Sequence, residues 1–226
     1  MPRMRFRPRA TPGYADRAHA GRALARHLEG VQLSGPVVFG LARGGVPVAA
    51  EVARGLGAPL RVCVARKIGA PGQPELALGA VTAHGPAGYD DRLVRSFGLG
   101  DAELAELTER ERNEARQREA RYTRGPAPEL GGRDVVLVDD GLATGATARA
   151  AIGMLREHAP RRVVLAVPVG SPDSVRALEL VADVVVCVLQ PVDFAAVGQW
   201  YGEFGATTDA EIDGILDELG GAAEQD

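Results

Sequence analysis

The sequence predicts an α/β fold built on a doubly wound, mainly parallel sheet of five strands, and three observations predict it. First, five short runs, Val37–Leu41, Leu60–Arg66, Val135–Val138, Arg162–Pro168 and Val184–Leu189, are rich in valine and leucine. They lack the regular polar alternation of a half-exposed strand, so they read as strands buried on both faces. Second, helix-forming stretches lie between these runs, and strand–helix–strand alternation implies right-handed parallel crossovers. Third, two of the runs pass directly into glycine turns that open helices, at Gly44-Gly45 and at Gly141 to Gly145. Such turns lie beyond the carboxyl ends of the strands, where doubly wound sheets bind ligands.

A chain of 226 residues with 46% hydrophobic and 25% charged residues is long enough for one substantial core with appendages, so residues 1–226 are expected to form a single domain. Residues 1–13 are basic and carry proline, which suggests a loose arm with Phe6 against the body. Asp16 to Leu28 reads as a short helix. The turn after the first strand, Ala42-Arg43-Gly44-Gly45, is open to two readings: a backbone that approaches an anion closely with Arg43 adding charge, or a plain turn with an exposed arginine.

The strand Leu60–Arg66 runs into Lys67, the only lysine among 26 basic residues. An arginine-writing coding bias explains the rest and leaves this position to be explained. From 67 to 90 the chain is rich in proline and glycine, and only Leu76–Val81 suits a strand. It is too long for an ordinary turn and reads as a functional lid or a β-flap. Residues 101–122 form a charged helix of about 33 Å at about 1.5 Å per residue. Leu104 and Leu107 give it a thin apolar stripe, which suits a solvated helix packed by one edge and leaves a homodimer contact open.

The most informative stretch is Val135 to Thr147, a buried strand, the acid pair Asp139-Asp140, and the turn Gly141-Leu142-Ala143-Thr144-Gly145-Ala146-Thr147 that opens a helix. Unpaired N–H groups at a helix amino end favour an anion, and the hydroxyls of Thr144 and Thr147 add donors. Two carboxylates in front of that cradle repel a bare phosphate, so the ligand must also offer them hydroxyls or a cation. A ribose 5'-phosphate satisfies both demands. The Walker spacing is absent and no lysine follows Gly145. Near the end, residues 190–207 hold Phe194, Trp200, Tyr201 and Phe204 in a chain only 4% aromatic. They form either a hood in which a ring stacks on a ligand or a hydrophobic cap on the sheet edge, followed by a terminal helix from Asp209 to Leu219.

The strand, acid pair and glycine–threonine turn resemble the phosphoribosyl pyrophosphate (PRPP) signature of the type I phosphoribosyltransferases. Leu41 to Gly45 and Arg66 to Pro71 match further parts of that fold, and the whole chain is similar to the bacterial group of predicted phosphoribosyltransferases whose acceptor is unassigned. The resemblance implies transfer of a phosphoribosyl group from PRPP to a nitrogen acceptor such as a nucleobase, with Mg²⁺ as cofactor. It implies that Lys67, Asp139 and Asp140 are catalytic, with Asp139 and Asp140 holding ribose or metal directly or through water. It places PRPP on Arg43, Gly44, Gly45 and the whole turn Gly141, Leu142, Ala143, Thr144, Gly145, Ala146 and Thr147, with an unusual peptide geometry often found in the Arg43 loop. Residues 67–90 take the part of the flexible lid, and the hood residues Phe194, Trp200 and Tyr201 that of the acceptor site. The hypoxanthine–guanine type carries aspartate where Ala143 stands here, and the adenine and orotate types carry alanine. The alternative is a non-catalytic sensor of PRPP or a nucleotide on the same fold; a hydrolase using the acid pair lacks a water-activating group.

Composition narrows the partners. A net charge of −4 argues against nucleic acid, which binds to basic surfaces. The arginine-rich start has no apolar signal core, and no run approaches membrane-spanning length, so a cytoplasmic protein without membrane contact is expected. Cys63 and Cys187 lie in apolar runs and read as buried free thiols.

Overall fold

The elements follow from where apolar residues recur, and a computed structural model describes residues 13–222. The expected basic arm therefore lies, except for Gly13, outside the described residues. In chain order the first elements are α1 (Arg17–Leu28), β1 (Val37–Leu41), α2 (Gly45–Leu56), β2 (Leu60–Cys63), β3 (Ala65–Ala70), β4 (Gln73–Thr82) and β5 (Gly88–Tyr89). There follow α3 (Asp91–Ser96), α4 (Asp101–Tyr122), β6 (Asp134–Val138), α5 (Ala146–Arg156), β7 (Arg162–Val169), α6 (Pro172–Leu178), β8 (Val184–Leu189) and α7 (Asp209–Ala222).

Five strands form a sheet in the order β2-β1-β6-β7-β8, and every pairing in it is parallel. This is the expected doubly wound sheet. Successive strand residues point to opposite faces, so Val38, Val136, Val138, Val164 and Ala166 pack with α2 and α7 on one side. Val37, Phe39, Val135, Leu137, Val163 and Leu165 pack with α5 on the other. With both faces covered, β1 and β6 are buried throughout, which is why their sequences show no alternation.

One expected strand divides. Leu60–Arg66 breaks at Val64: β2 stays in the parallel sheet, while β3 leaves it and pairs antiparallel with β4. The physical reason is a second apolar set. Ile68, Ala70, Leu78 and Val81 form their own buried cluster, against which Leu93, Val94, Phe97 and Leu107 pack. Residues 67–90 therefore fold largely as a three-stranded antiparallel sheet, β3-β4-β5, with Lys67 inside β3 opposite Ala80. The short helix α3, capped by Asp90, was not anticipated.

Helix α4 lies along this small sheet. Arg66 reaches Glu111 at 2.9 Å, Tyr89 Oη shares a hydrogen bond of 2.8 Å with Thr108 Oγ1, and Arg112 donates to the carbonyl of Gly85 at 2.9 Å. Its far end meets α7 through Arg121 and Arg124, both of which reach Asp213. At the opposite end of the sheet, buried Asp134 accepts hydrogen bonds from Arg161, Arg162 and the Ser34 N–H. Burial alone would raise its pKa, but Arg162, Arg161 and Ser34 together hold it down at about 2. Among the described residues no helix is long and apolar enough to cross a membrane.

Candidate active site

The acid pair sits where β6 leaves the sheet. Asp139 Oδ1 accepts the Asp140 backbone N–H at 2.8 Å, which fixes the Asp139 carboxylate against the start of the turn. Burial pushes the Asp139 pKa well above the usual carboxylate range, and the neighbouring Asp140 charge pushes it further. Asp140 is raised by burial as well, with Arg17 opposing. Two close, poorly hydrated carboxylates favour any partner that supplies positive charge or hydroxyl donors.

The turn after them is tied down on its far side. Leu142 N–H donates to the Val169 carbonyl at 2.9 Å and Ser174 donates to the Ala143 carbonyl at 2.5 Å. Gly145 has φ of 72°, a left-handed conformation that opens α5 and that glycine adopts without penalty. Ala143 and Thr144 are exposed, and Ala146 and Thr147 are half-buried at the amino end of α5, where N–H groups have no helical partner.

The glycine turn after β1 packs directly onto the acids. A Cβ on Gly44 would lie 2.1 Å from Asp140 Oδ2, and one on Gly45 would lie 2.6 Å from the Val138 carbonyl oxygen. Only glycine allows this approach, so two loops distant in sequence form one site. The peptide between Ala42 and Arg43 is cis. The exposed Arg43 guanidinium pairs with Asp209 at 3.7 Å.

A residue that the sequence reading missed holds the acid pair from the other side. Arg17 Nε donates to Asp140 Oδ2 at 2.9 Å, and its Nη1 donates to the Gly205 carbonyl at 2.7 Å. The guanidinium lies 4.1 Å from the centre of the Phe204 ring, a cation–π contact. Phe204 in turn packs on Tyr201 with ring centres 5.0 Å apart, and Tyr201 Oη donates to the Asp140 carbonyl at 2.6 Å. One signal was available. Arg17 opens α1, whose first turn contains no acid, and a helix dipole disfavours a cation there.

Lys67 approaches from the small sheet. Its Nζ donates to the Glu75 carbonyl at 3.1 Å and pairs with the exposed Glu75 carboxylate at 3.3 Å. Lys67 shares a cavity of about 820 Å³ with Thr144, Ala146, Arg149 and Arg92.

A family model described as phosphoribosyl transferase domain matches residues 14–199. The chain belongs to this family. Two Mycobacterium tuberculosis proteins, each named "Putative phosphoribosyl transferase", are 48% identical over 207 residues, or 90% of this chain. The matched segment is 46% of those proteins, so the chain spans about half the length of its curated relatives. Among solved structures, TT1426 from Thermus thermophilus is 48% identical, with a TM-score of 0.78 over 91% of this chain and 98% of that one. The AQ2163 protein from Aquifex aeolicus, 14% identical with a TM-score of 0.50 over 88% of this chain and 84% of that one, shares the fold.

In this phosphoribosyl transferase domain the expected site residues fall into three places. Asp139, Asp140, Gly44, Gly45 and the turn from Gly141 to Thr147 stand together at the carboxyl ends of β1 and β6. Lys67 faces the Thr144 end of that turn across the cavity. The hood packs on one cluster: Tyr201 is buried in it beside Tyr14 and Val169 and also donates to the Asp140 carbonyl, and Phe194 and Trp200 pack against the same cluster.

Proposed function

We propose that this domain transfers the phosphoribosyl group of PRPP to a nitrogen acceptor, a nucleobase, and releases pyrophosphate. The acceptor nitrogen bonds to the anomeric carbon as the bond from that carbon to the pyrophosphate oxygen breaks, and the nitrogen gives up its proton. The observation that carries this reading is the meeting of the two loops. An acid pair that wants hydroxyls or a cation lies between a helix amino end suited to a 5'-phosphate and a glycine turn packed directly against it.

The roles follow from placement. The turn from Gly141 to Thr147 grips the 5'-phosphate, with Thr144 and Thr147 hydroxyls as extra donors. Asp139 and Asp140 hold the ribose diol. Gly44, Gly45 and the N–H groups around them receive the pyrophosphate, toward which Arg43 swings once it leaves Asp209. Lys67, released from Glu75, adds charge as pyrophosphate departs, an effect that grows in the transition state.

A divalent cation fits this site in a limited way. Among the described residues no three or more His, Cys, Asp or Glu side chains converge. Mg²⁺ commonly uses one or two carboxylates and completes its shell with phosphate oxygens and water. Asp139 and Asp140 meet that requirement only with PRPP present, and Asp140 Oδ2 is already held by Arg17. Mg²⁺ bound there with PRPP would neutralise charge on the leaving group. The acceptor would lie beside the hood, where Tyr201 is fixed to the Asp140 carbonyl. Ala143 offers no base to a purine ring, so hypoxanthine and guanine are expected to be poor acceptors.

The test is pyrophosphate release from PRPP and Mg²⁺ across a panel of purines, pyrimidines and other amines. Release that depends on one acceptor class supports transfer. Tight PRPP binding with no release from any of them identifies the domain as a sensor, and brisk turnover of hypoxanthine or guanine removes the argument from Ala143.

A further inference from the structure

A second cavity lies at the opposite end of the sheet from the acid pair. It has a volume of about 240 Å³ and is bounded by β1, β2, the last turns of α4 and α5, and the loop over residues 123–130. Helix α5 opens at the phosphate-loop end of the domain and brings Met154 and Leu155 to this cavity near its other end, about 12–14 Å along the helix at about 1.5 Å per residue. The volume is below the roughly 300–1,000 Å³ of drug-sized sites, which suits one ring or one short branched chain.

Its walls are of two kinds. Phe39, Val62, Leu130, Met154 and Leu155 form an apolar floor. The polar groups are mainly donors. Arg61 lines the cavity, and its Nε is buried without a hydrogen-bond partner among the described residues, although its Nη1 donates to the Leu60 carbonyl at 3.2 Å. Beyond that bond the Arg61 guanidinium meets no carboxylate among the described residues, so a carboxylate that enters the cavity finds it without a counter-charge. Glu119 is the one carboxylate on the wall, and it is engaged by His84 Nε2 at 3.2 Å. Burial raises the Glu119 pKa, and the pairing with His84 works against that rise. Arg124 is committed outward to Asp213 and Asp217. What the cavity lacks is therefore an anionic acceptor at Arg61, attached to an apolar body that covers Met154 and Leu155.

We propose that this cavity is a binding site for a small carboxylic acid with an apolar body, its carboxylate on Arg61 and its ring or branched chain on the Phe39–Met154–Leu155 floor. The site is separate from the PRPP loops and stands whether or not the domain transfers phosphoribosyl groups.

The experiment is a calorimetric titration of the whole protein with benzoate and 3-methylbutanoate, with benzamide, acetate and inorganic phosphate as comparison ligands. Benzoate and 3-methylbutanoate are expected to bind at one site. Benzamide, which lacks the charge, and acetate and phosphate, which lack the apolar body, are expected to bind at least tenfold more weakly. Arg61→Leu should weaken benzoate about tenfold or more, the scale of a lost charge-assisted hydrogen bond. Ala127→Trp, on the exposed loop at the cavity, should block entry without disturbing the core, and it keeps the proposal testable if Arg61→Leu does not fold. Absence of benzoate binding to the unaltered protein, equal binding of benzamide, or unchanged benzoate affinity in Ala127→Trp would overturn the assignment.

Discussion

Replacing Gly44 by alanine tests whether the two loops form one site. The backbone there is in the ordinary helical region, φ −61° and ψ −32°, so alanine fits the chain itself and gains roughly 0.4–1 kcal/mol through the unfolded state. The new Cβ, however, lies 2.1 Å from Asp140 Oδ2, and ordinary contact begins at 3.4 Å. The carboxylate must withdraw by more than an ångström, and the same oxygen accepts the 2.9 Å bond from Arg17 Nε. Losing that charge-assisted hydrogen bond costs about 1.5–3 kcal/mol, which leaves a net destabilisation of about 0.5–2.6 kcal/mol once the roughly 0.4–1 kcal/mol gain is set against it. The same displacement removes a carboxylate acceptor from the ribose hydroxyls, a loss of about 1.5–3 kcal/mol, and since about 1.4 kcal/mol is tenfold in affinity, PRPP should bind roughly 10-fold or more weakly. Gly45→Ala is the contrast. Its Cβ meets the Val138 carbonyl and the Asp139 Cα, both backbone, which cannot turn aside, so it should lose stability near the upper end of the roughly 1–3 kcal/mol overpacking range. Urea denaturation gives the stabilities and calorimetry the PRPP affinities. A Gly44→Ala protein that is folded and binds PRPP like the parent would refute the shared site.

Lys67→Ala should reduce turnover about 10²-fold, the order for one lost transition-state donor, with PRPP affinity little changed and Lys67→Arg only partly restored; equal losses in turnover and affinity would make the lysine a simple binding contact. Gly145→Val should weaken PRPP more than Thr144→Ala does, because φ of 72° is strained for valine and its Cβ would lie 2.8 Å from Leu178 Cδ1; unchanged affinity in both variants would remove the phosphate from this turn. Asp134 should govern acid stability. Its folded pKa of about 2 lies below the ordinary 3.8, so its contribution is complete above about pH 4 and is lost as pH falls through about 2. Asp134→Asn should therefore flatten the pH dependence of urea midpoints between pH 4 and 2; an unaltered slope would contradict this.

The fold was legible where local signals and tertiary demand agree. The valine-rich runs carry no alternation because β1 and β6 are covered on both faces, and Gly145 marks a left-handed residue at a helix start. The acid pair and its turn were readable because their chemistry lies in consecutive residues. The break at Val64 was not, since nothing local distinguishes Cys63 from Ala65. It depends on the separate cluster around Ile68 and Leu78, which only long-range pairing creates. Arg17 escaped notice for the same reason: its partner Asp140 is 123 residues away and its stacking ring, Phe204, lies further still. The aromatic hood was visible as a composition change, but its contacts were not. Tyr201 is buried beside Tyr14 and reaches the Asp140 backbone, and Trp200, its immediate neighbour, packs against the same cluster.

The central claim is transfer of the phosphoribosyl group, and identifying the product by mass spectrometry tests it most directly. The protein is incubated with PRPP, Mg²⁺ and pooled nucleobases, beside a protein carrying both Asp139→Asn and Asp140→Asn. Transfer predicts a new N-phosphoribosylated base with the unaltered protein and little or none with the double variant. PRPP recovered intact, or converted only to ribose 5-phosphate and pyrophosphate with every base left unmodified, would contradict it.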